Sequence, residues 1–338
     1  MNFVGVDIGG TSVKVGIVSS AGVMLARSQQ DIEDRSPEAI VGIAVNLARQ
    51  CATEANVEWT DIAGLGVGCP GQVSNGVLVA AANFATWDHV PLELMLHERL
   101  HVPSVLVNDA DAAVAAEHWV GTASNVKNFV MLTLGTGVGF GVVNDDKIVA
   151  GGTGMIEGGH VIVVPNGRAC GCTQKGCLER YSSASAVIDQ AKLKAVDPST
   201  TASLSSSHAP TTRCSPCIIR LALTTSLSQL KVDSITAKDV FDAADAGDQV
   251  SKAIIEEVAE YLGFACVNFC RTLDPEMIVL SGGLAEAGEA FIQQIRDAYT
   301  KYTWTKLPNP VIIEKASVGY DCGIIGAAAF AFKANKTN

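Results

Sequence analysis

Residues 3–31 alternate apolar and polar positions. FVGVDI is followed by a break at Gly9-Gly10, then SVKVGIVS, then a further apolar stretch around Val23 to Ala26. A period of two is that of a β-strand, so the opening predicts a strand, a glycine turn and a second strand. The period then changes. Ser36 stands as an N-cap with Pro37 in the first helical position, and EAIVGIAVNLARQCATEA spaces its apolar residues along one helix face. IAGLGVGCPGQV predicts a buried strand entering a Gly/Pro turn. PSVLVNDADAAVAAEHWVG predicts a strand ending near Asn108 and an Ala-rich helix after it.

The pattern then repeats in kind. FVMLTLGTGVGFGVVNDDKIVAGG is a second strand, glycine turn and strand. A long helix is predicted over residues 248–271. EMIVLSGGLAEAG reads as a strand entering a glycine turn and a helix, and CGIIGAAAFAFKA as a helix of small residues. Two copies of a hairpin-led unit predict two related α/β halves with a cleft between them. Residues 197–232 break the pattern: Ser and Thr dominate and aromatic residues are absent. Their first part reads as a flexible surface loop, with Ser215-Pro216 capping a short amphipathic helix to about Leu230. Cys214 and Cys217 form a C-x2-C pair there. Only His208 is near as a further ligand, so no metal is expected.

At 338 residues the chain has room for two domains sharing one body, and 48% hydrophobic residues supply ample core. The net charge of −11 argues against a general nucleic-acid binder or an anionic-membrane binder, because nothing offsets phosphate repulsion. MNFVGVDIGG has no basic n-region, and no apolar run approaches about 18 residues. A cytoplasmic protein with reduced thiols is expected. Most of the ten cysteines, Cys51, Cys69, Cys266, Cys270 and Cys322 among them, then read as small core residues.

Three features carry chemistry. DIGGTSVK (7–14), LGTGVGFG (134–141) and LSGG (280–283) are glycine loops that each leave a strand. Together they suit two phosphate clamps and an adenosine shelf, with Asp7 placed to hold Mg²⁺ through water. VLVNDADAAV puts two carboxylates where a strand gives way to a helix. Asp109 is expected to face the cleft as a general base, and Asp111 to complement the helix dipole. Finally, GRACGCTQKGCLERY holds three cysteines at C-x-C-x4-C spacing. An odd number of thiols cannot close a disulfide set, and the spacing is not the C-x2-C of a redox centre. His160 of EGGH, ten residues before Cys170, supplies a fourth ligand. Cys3His zinc, structural because no position is left open, is then the expectation for His160, Cys170, Cys172 and Cys177. One ion would bring Glu157 and Glu179 together as acceptors for a polyol's hydroxyls.

With these residues in view, the sequence resembles the ROK family of sugar kinases, within the actin-like ATPase superfamily. The resemblance rests on DIGGTSVKVGIV, GVGCPGQV, NFATWDHVPL, NDADAAVAAE, LGTGVGFGVV, EGGH, CGCTQKGCLE and IVLSGG, and spans nearly the whole chain except 197–232. It implies a two-domain, ribonuclease H-like α/β fold with a cleft. Residues 1–118 with 320–338 would form a small domain, and 119–319 a large one bearing the zinc loop and the insertion. It implies ATP, Mg²⁺ and structural Zn²⁺, with Asp109 as catalytic base. Asn83, Asn108, Asp109, Glu157, His160 and Glu179 fall on sugar-binding positions. Gly9, Gly10, Thr11, Thr136 and Gly137 fall on phosphate loops, Gly282 and Gly283 on the adenosine site, and Asp7 and Lys14 complete the nucleotide set. Thr173 departs from the family pattern, which usually has Gly after the second cysteine.

The implied reaction is phosphorylation of a hexose at its 6-hydroxyl. NFATWDHVPL looks like the glucokinase version of its segment, so glucose is the expected substrate. N-acetylmannosamine or fructose is the alternative. A polyphosphate donor is disfavoured by the full zinc motif, and an inactive scaffold by the intact Asp109 and glycine loops. A sugar-binding regulator is the reading of a different class. The first strand begins about two residues in and leaves no room for a helix-turn-helix. A homodimer or homotetramer is expected.

Overall fold

The protein is seen in a computed structural model, which describes residues 1–81, 83–151, 156–196, 234–304, 306 and 311–337. The expected loop, C-x2-C pair and short helix of 197–232 lie outside the described residues.

The first sheet grows from the opening hairpin. Strands β1 (Asn2–Ile8) and β2 (Ser12–Ser19) pair antiparallel, and β3 (Met24–Asp31) adds to β2. Helix α1 (Pro37–Glu54) follows. Ser36 caps it by accepting from the Ala39 N–H, and Ile40, Val41, Ala44, Leu47, Ala48 and Cys51 form its buried face. Strand β4 (Ile62–Cys69) then lies parallel to β1, so Phe3, Val4, Val6 and Ile8 are buried at the centre of the sheet. A ribbon of β5 (Gln72–Ser74) and β6 (Val77–Ala80), then α2 (Leu92–Leu100), lead to β7 (Ser104–Asn108), which is parallel to β4. The sheet order is β3-β2-β1-β4-β7. Helix α3 (Asp109–Trp119) starts directly at the end of β7.

The second sheet repeats this plan. Strand β8 (Phe129–Leu134) pairs antiparallel with β9 (Val138–Asn144), and β10 (Lys147–Ile148) extends the edge. Short helix α4 (Glu179–Ser182), α5 (Ala184–Val196), α6 (Ala237–Asp245) and the long α7 (Gln249–Leu273) intervene. Asp248 is the N-cap of α7, one position before its first helical residue. Strand β11 (Met277–Ser281) then runs parallel to β8, α8 (Glu289–Tyr302) crosses over, and β12 (Ile312–Lys315) runs parallel to β11. The order, β10-β9-β8-β11-β12, mirrors the first sheet. Ile254, Val258 and Leu262 of α7 cover Leu132, Ile278 and Leu280.

The chain closes with α9 (Cys322–Thr337), which packs on α3, β1 and β4 of the first sheet. Its small residues permit close approach: a Cβ on Gly326 would overlap the Ala112 carbonyl oxygen, and one on Gly66 that of Ala327. Helix α3 also meets the second sheet, where Ala113 and Val114 share a core cluster with Phe129, Met131 and Val279. No helix among the described residues is long and apolar enough to cross a membrane. Cys51, Cys69, Cys266 and Cys270 are buried as expected, but Cys322 is only partly so. It begins α9 beside Gly323, and both line a cavity between the sheets.

Candidate active site

The histidine–cysteine motif expected to hold zinc closes on itself. His160 ends a single 3₁₀ turn (Gly158–His160), and the three thiols sit on the loop that follows. The ligand atoms of His160, Cys170, Cys172 and Cys177 all lie within 4.8 Å of one another. His160 Nδ1 is 3.6 Å from Cys170 Sγ, and Cys172 Sγ is 3.6 Å from Cys177 Sγ. Tetrahedral zinc with ordinary bond lengths needs ligand separations of roughly 3.5–3.8 Å, so this donor set fits the ion. Gln174 donates to Cys172 and draws its thiol down to about 6, towards the thiolate that binds metal. Thr173 holds φ +75°, a left-handed conformation, between the Cys170 carbonyl that its N–H reaches and the turn at Gln174. The loop is braced from outside. The Arg168 N–H donates to Tyr181 Oη, and its guanidinium stacks on that ring and pairs with Glu257 of α7 at 2.8 Å.

This centre forms one wall of a cleft of about 480 Å³ between the sheets, lined by Glu157, His160 and Glu179 on that side. Glu179 Oε2 accepts from the Val138 N–H at 3.1 Å, and its Oε1 lies 3.9 Å from Cys170 Sγ. A Cβ at Gly137 would overlap Glu179 Oε2 and displace that carboxylate from the Val138 N–H. The opposite wall carries Asp109, the first residue of α3. Asn108, rather than either aspartate, caps the helix: its Oδ1 accepts from the Ala110 N–H at 2.8 Å, while its Nδ2 donates to the Gly71 carbonyl. The Asp109 carboxylate is open to the cleft but recessed among protein atoms. That desolvation, and to a lesser extent nearby Asp7, raises its pKa, although the Ala110 N–H opposes the shift. Asp111, in the first turn, is also raised, by burial and then by Asp109.

The third corner holds Asp7 and Lys14. Lys14 Nζ sits 3.3 Å from Asp7 Oδ2 and 4.1 Å from the centre of the Tyr320 ring. Burial works against its charge, but Asp7 and Tyr320 outweigh it and the pKa is raised. The structure therefore brings Asp7, Lys14, Asp109, Gly137, Glu157, His160 and Glu179 into one cavity. Gly9, Gly10, Thr11, Asn83, Asn108, Thr136, Gly282 and Gly283 do not line it. Gly9 closes the β1–β2 turn through its N–H to the Ser12 carbonyl, and Gly10 faces Asn83. Gly282, at φ +86°, abuts Leu134 beside the second glycine loop, and Gly283 borders open space. The cavity adds Thr133, Tyr320, Cys322 and Gly323, which sequence reasoning did not find. Gly323 alone had a signal, as a small residue opening a helix. A Cβ on it would sit 2.6 Å from the Asp7 carboxyl carbon.

Comparison with known proteins accords with this geometry. A model of the ROK family matches residues 3–334. The chain is 32% identical over 335 residues to a glucokinase of Halalkalibacterium halodurans, covering 96% of this chain and 93% of that protein. Among solved structures it is similar to a ROK hexokinase from Thermus thermophilus, with TM-score 0.80, 26% identity and full coverage of both chains. It is also similar to a ROK family glucokinase from Streptomyces griseus in complex with glucose and AMPPNP. There the TM-score is 0.76 and the identity 28%, covering 98% of this chain and all of that one. The two repeated halves are those of the actin-like ATPase fold.

Proposed function

The chain belongs to the ROK family, and from that premise we propose that it transfers the terminal phosphoryl group of ATP to the 6-hydroxyl of glucose. The observation that carries this reading is the facing of two walls across one cavity. A recessed carboxylate, Asp109, stands opposite a cluster of hydroxyl acceptors and donors, Glu157, His160 and Glu179. With Nδ1 of His160 turned to the metal site, Nε2 is left to meet the sugar. Glu157 and Glu179 accept sugar hydroxyls, and Asn83 and Asn108 complete the sugar set as the cleft closes.

Asp109 takes the proton of the 6-hydroxyl while that oxygen bonds to the γ-phosphorus and the bond to ADP breaks. Its raised pKa improves it as an acceptor. Gly9 shapes the first glycine turn, Gly10, Thr11, Thr136 and Gly137 offer backbone N–H groups to the phosphates, and Gly282-Gly283 borders the adenosine. Lys14 offers a cation to the same phosphates. Mg²⁺, held at Asp7, would neutralise charge on the transferring group. Zinc would order the loop that carries the sugar-binding wall without touching the reacting atoms.

The test is turnover of a hexose panel with MgATP, read as coupled ADP release. Glucose is expected to exceed mannose, fructose and N-acetylmannosamine in kcat/KM by roughly ten- to a hundredfold, the size of one lost buried hydrogen bond. A win for N-acetylmannosamine or fructose would keep the base and the metal site but replace the substrate.

A further inference from the structure

Glu117 is fully buried on α3, and nothing above uses it. Its carboxylate is spent on backbone N–H groups. Oε2 accepts from Thr122 at 2.8 Å and Ser317 at 3.2 Å, and Oε1 accepts from Val318 at 2.8 Å. These three amides belong to two distant places in the sequence with one meaning in the fold. The described chain passes between the halves twice, from α3 to β8 through residues 120–128 and from β12 back to α9 through 316–321. Thr122 lies on the first crossing; Ser317 and Val318 lie on the second. Thr122 Oγ1 also donates to the Lys315 carbonyl, so the two crossings are tied to each other as well. Gly121 lets the chain wrap over the carboxylate, because a Cβ there would overlap Glu117 Oε2.

We propose that Glu117 is a positioning residue: it pins both crossings to the helix whose first residue is Asp109, so that movement of the halves carries the base in a fixed orientation. The inference rests on the function proposed above. A buried carboxylate accepting three amide N–H bonds is a strong, directional tie. Any rotation of one half against the other must pivot on the two crossings. With both held by one side chain two turns along α3 from Asp109, the pivot and the base belong to one rigid body.

Glu117→Gln tests this, because the amide keeps the size but turns an N–H towards the donors it replaces an acceptor for. In the full-length protein, zinc content and circular dichroism should be unchanged. Amide hydrogen exchange at Thr122, Ser317 and Val318 should accelerate tenfold or more. The kcat for glucose should fall tenfold or more, with KM within about threefold, as for an interaction that matters in the transition state. Should that variant fail to fold, Glu117→Asp, which keeps the charge and withdraws it by one methylene, carries the same expectations. A lower melting temperature with unchanged kcat per folded chain would make Glu117 merely structural and overturn the proposal. So would unchanged exchange at both crossings. A wild-type chain that turns over no hexose would fail the function reading, while the exchange measurement still decides whether Glu117 pins the crossings.

Discussion

A carboxylate that takes a proton gains from being hard to keep ionised, and Asp109, the base proposed above, carries the cost of that. Its pKa is raised by desolvation, so the native state holds this proton more tightly than the unfolded chain does. Stability from this group is present at low pH and is lost as pH rises from the ordinary aspartate range through the raised value. Asp109→Asn should therefore raise the melting temperature at neutral pH while lowering kcat about 10²–10⁴-fold with glucose binding largely kept. The wild-type kcat/KM should fall on the acid side at a pH above that of an ordinary aspartate. Thermal melts, isothermal titration and a pH–rate profile check the three parts. A variant with near-normal kcat would remove Asp109 from its role. Asp109 was legible from its place after VLVN. The cap was not, because Asn108 and the aspartates are alike in short polar reach, the Ala110 N–H reaches both Asn108 and Asp109, and only the extended backbone of Asn108 marks it as the cap.

The zinc loop and α9 show how an element's shape depends on single backbone positions. Thr173 occupies a left-handed conformation with an exposed, β-branched side chain. Strain of this kind costs about 1–3 kcal/mol, and glycine would return roughly 0.5–1 kcal/mol of that as unfolded-state entropy. Thr173→Gly should stabilise by about 1 kcal/mol and slow the loss of one zinc per chain to a chelator, read by melting and elemental analysis. A lower melting temperature would show that the threonine hydroxyl holds the turn. In α9 the expected cost is of the opposite sign. Gly326→Ala improves helix propensity but drives a methyl into the Ala112 carbonyl of α3. Overpacking should dominate, at about 1–3 kcal/mol, and kcat should drop because Ala112 is one turn from Asp109. A stabilised variant in a urea melt would mean that the helices can part. GIIGAAAFA was legible as a small-residue helix. Which surface it would meet was not, since the glycines that receive it, Gly5 and Gly66, lie in strands at the other end of the sequence.

Across the whole molecule, local pattern and long-range placement divide what could be read. The two hairpin-led sheets follow from apolar strand segments broken by glycine turns, Gly9-Gly10 in one and Gly135-Thr136-Gly137 in the other, which is local. The gathering of His160, Cys170, Cys172 and Cys177 follows from spacing within eighteen residues. Tyr320 over Lys14 and Glu117 over Val318 join residues about three hundred and two hundred positions apart, and nothing in the sequence near any of them announces the partner. A molecule held by two pinned crossings should move as two bodies, so glucose should contract it. Small-angle scattering with and without the sugar would register a smaller radius of gyration, and an unchanged one would mean the cleft is already closed. The position of α9 also bears on how the protein is made. The centre of the first sheet, β1 and β4, is translated before the second sheet, yet the helix that covers it is translated only after that entire sheet. The early half must wait with apolar residues open to solvent and to other nascent chains. A ribosome that stalls or stops short within α9 would release a protein whose second half is finished and whose first half never becomes so.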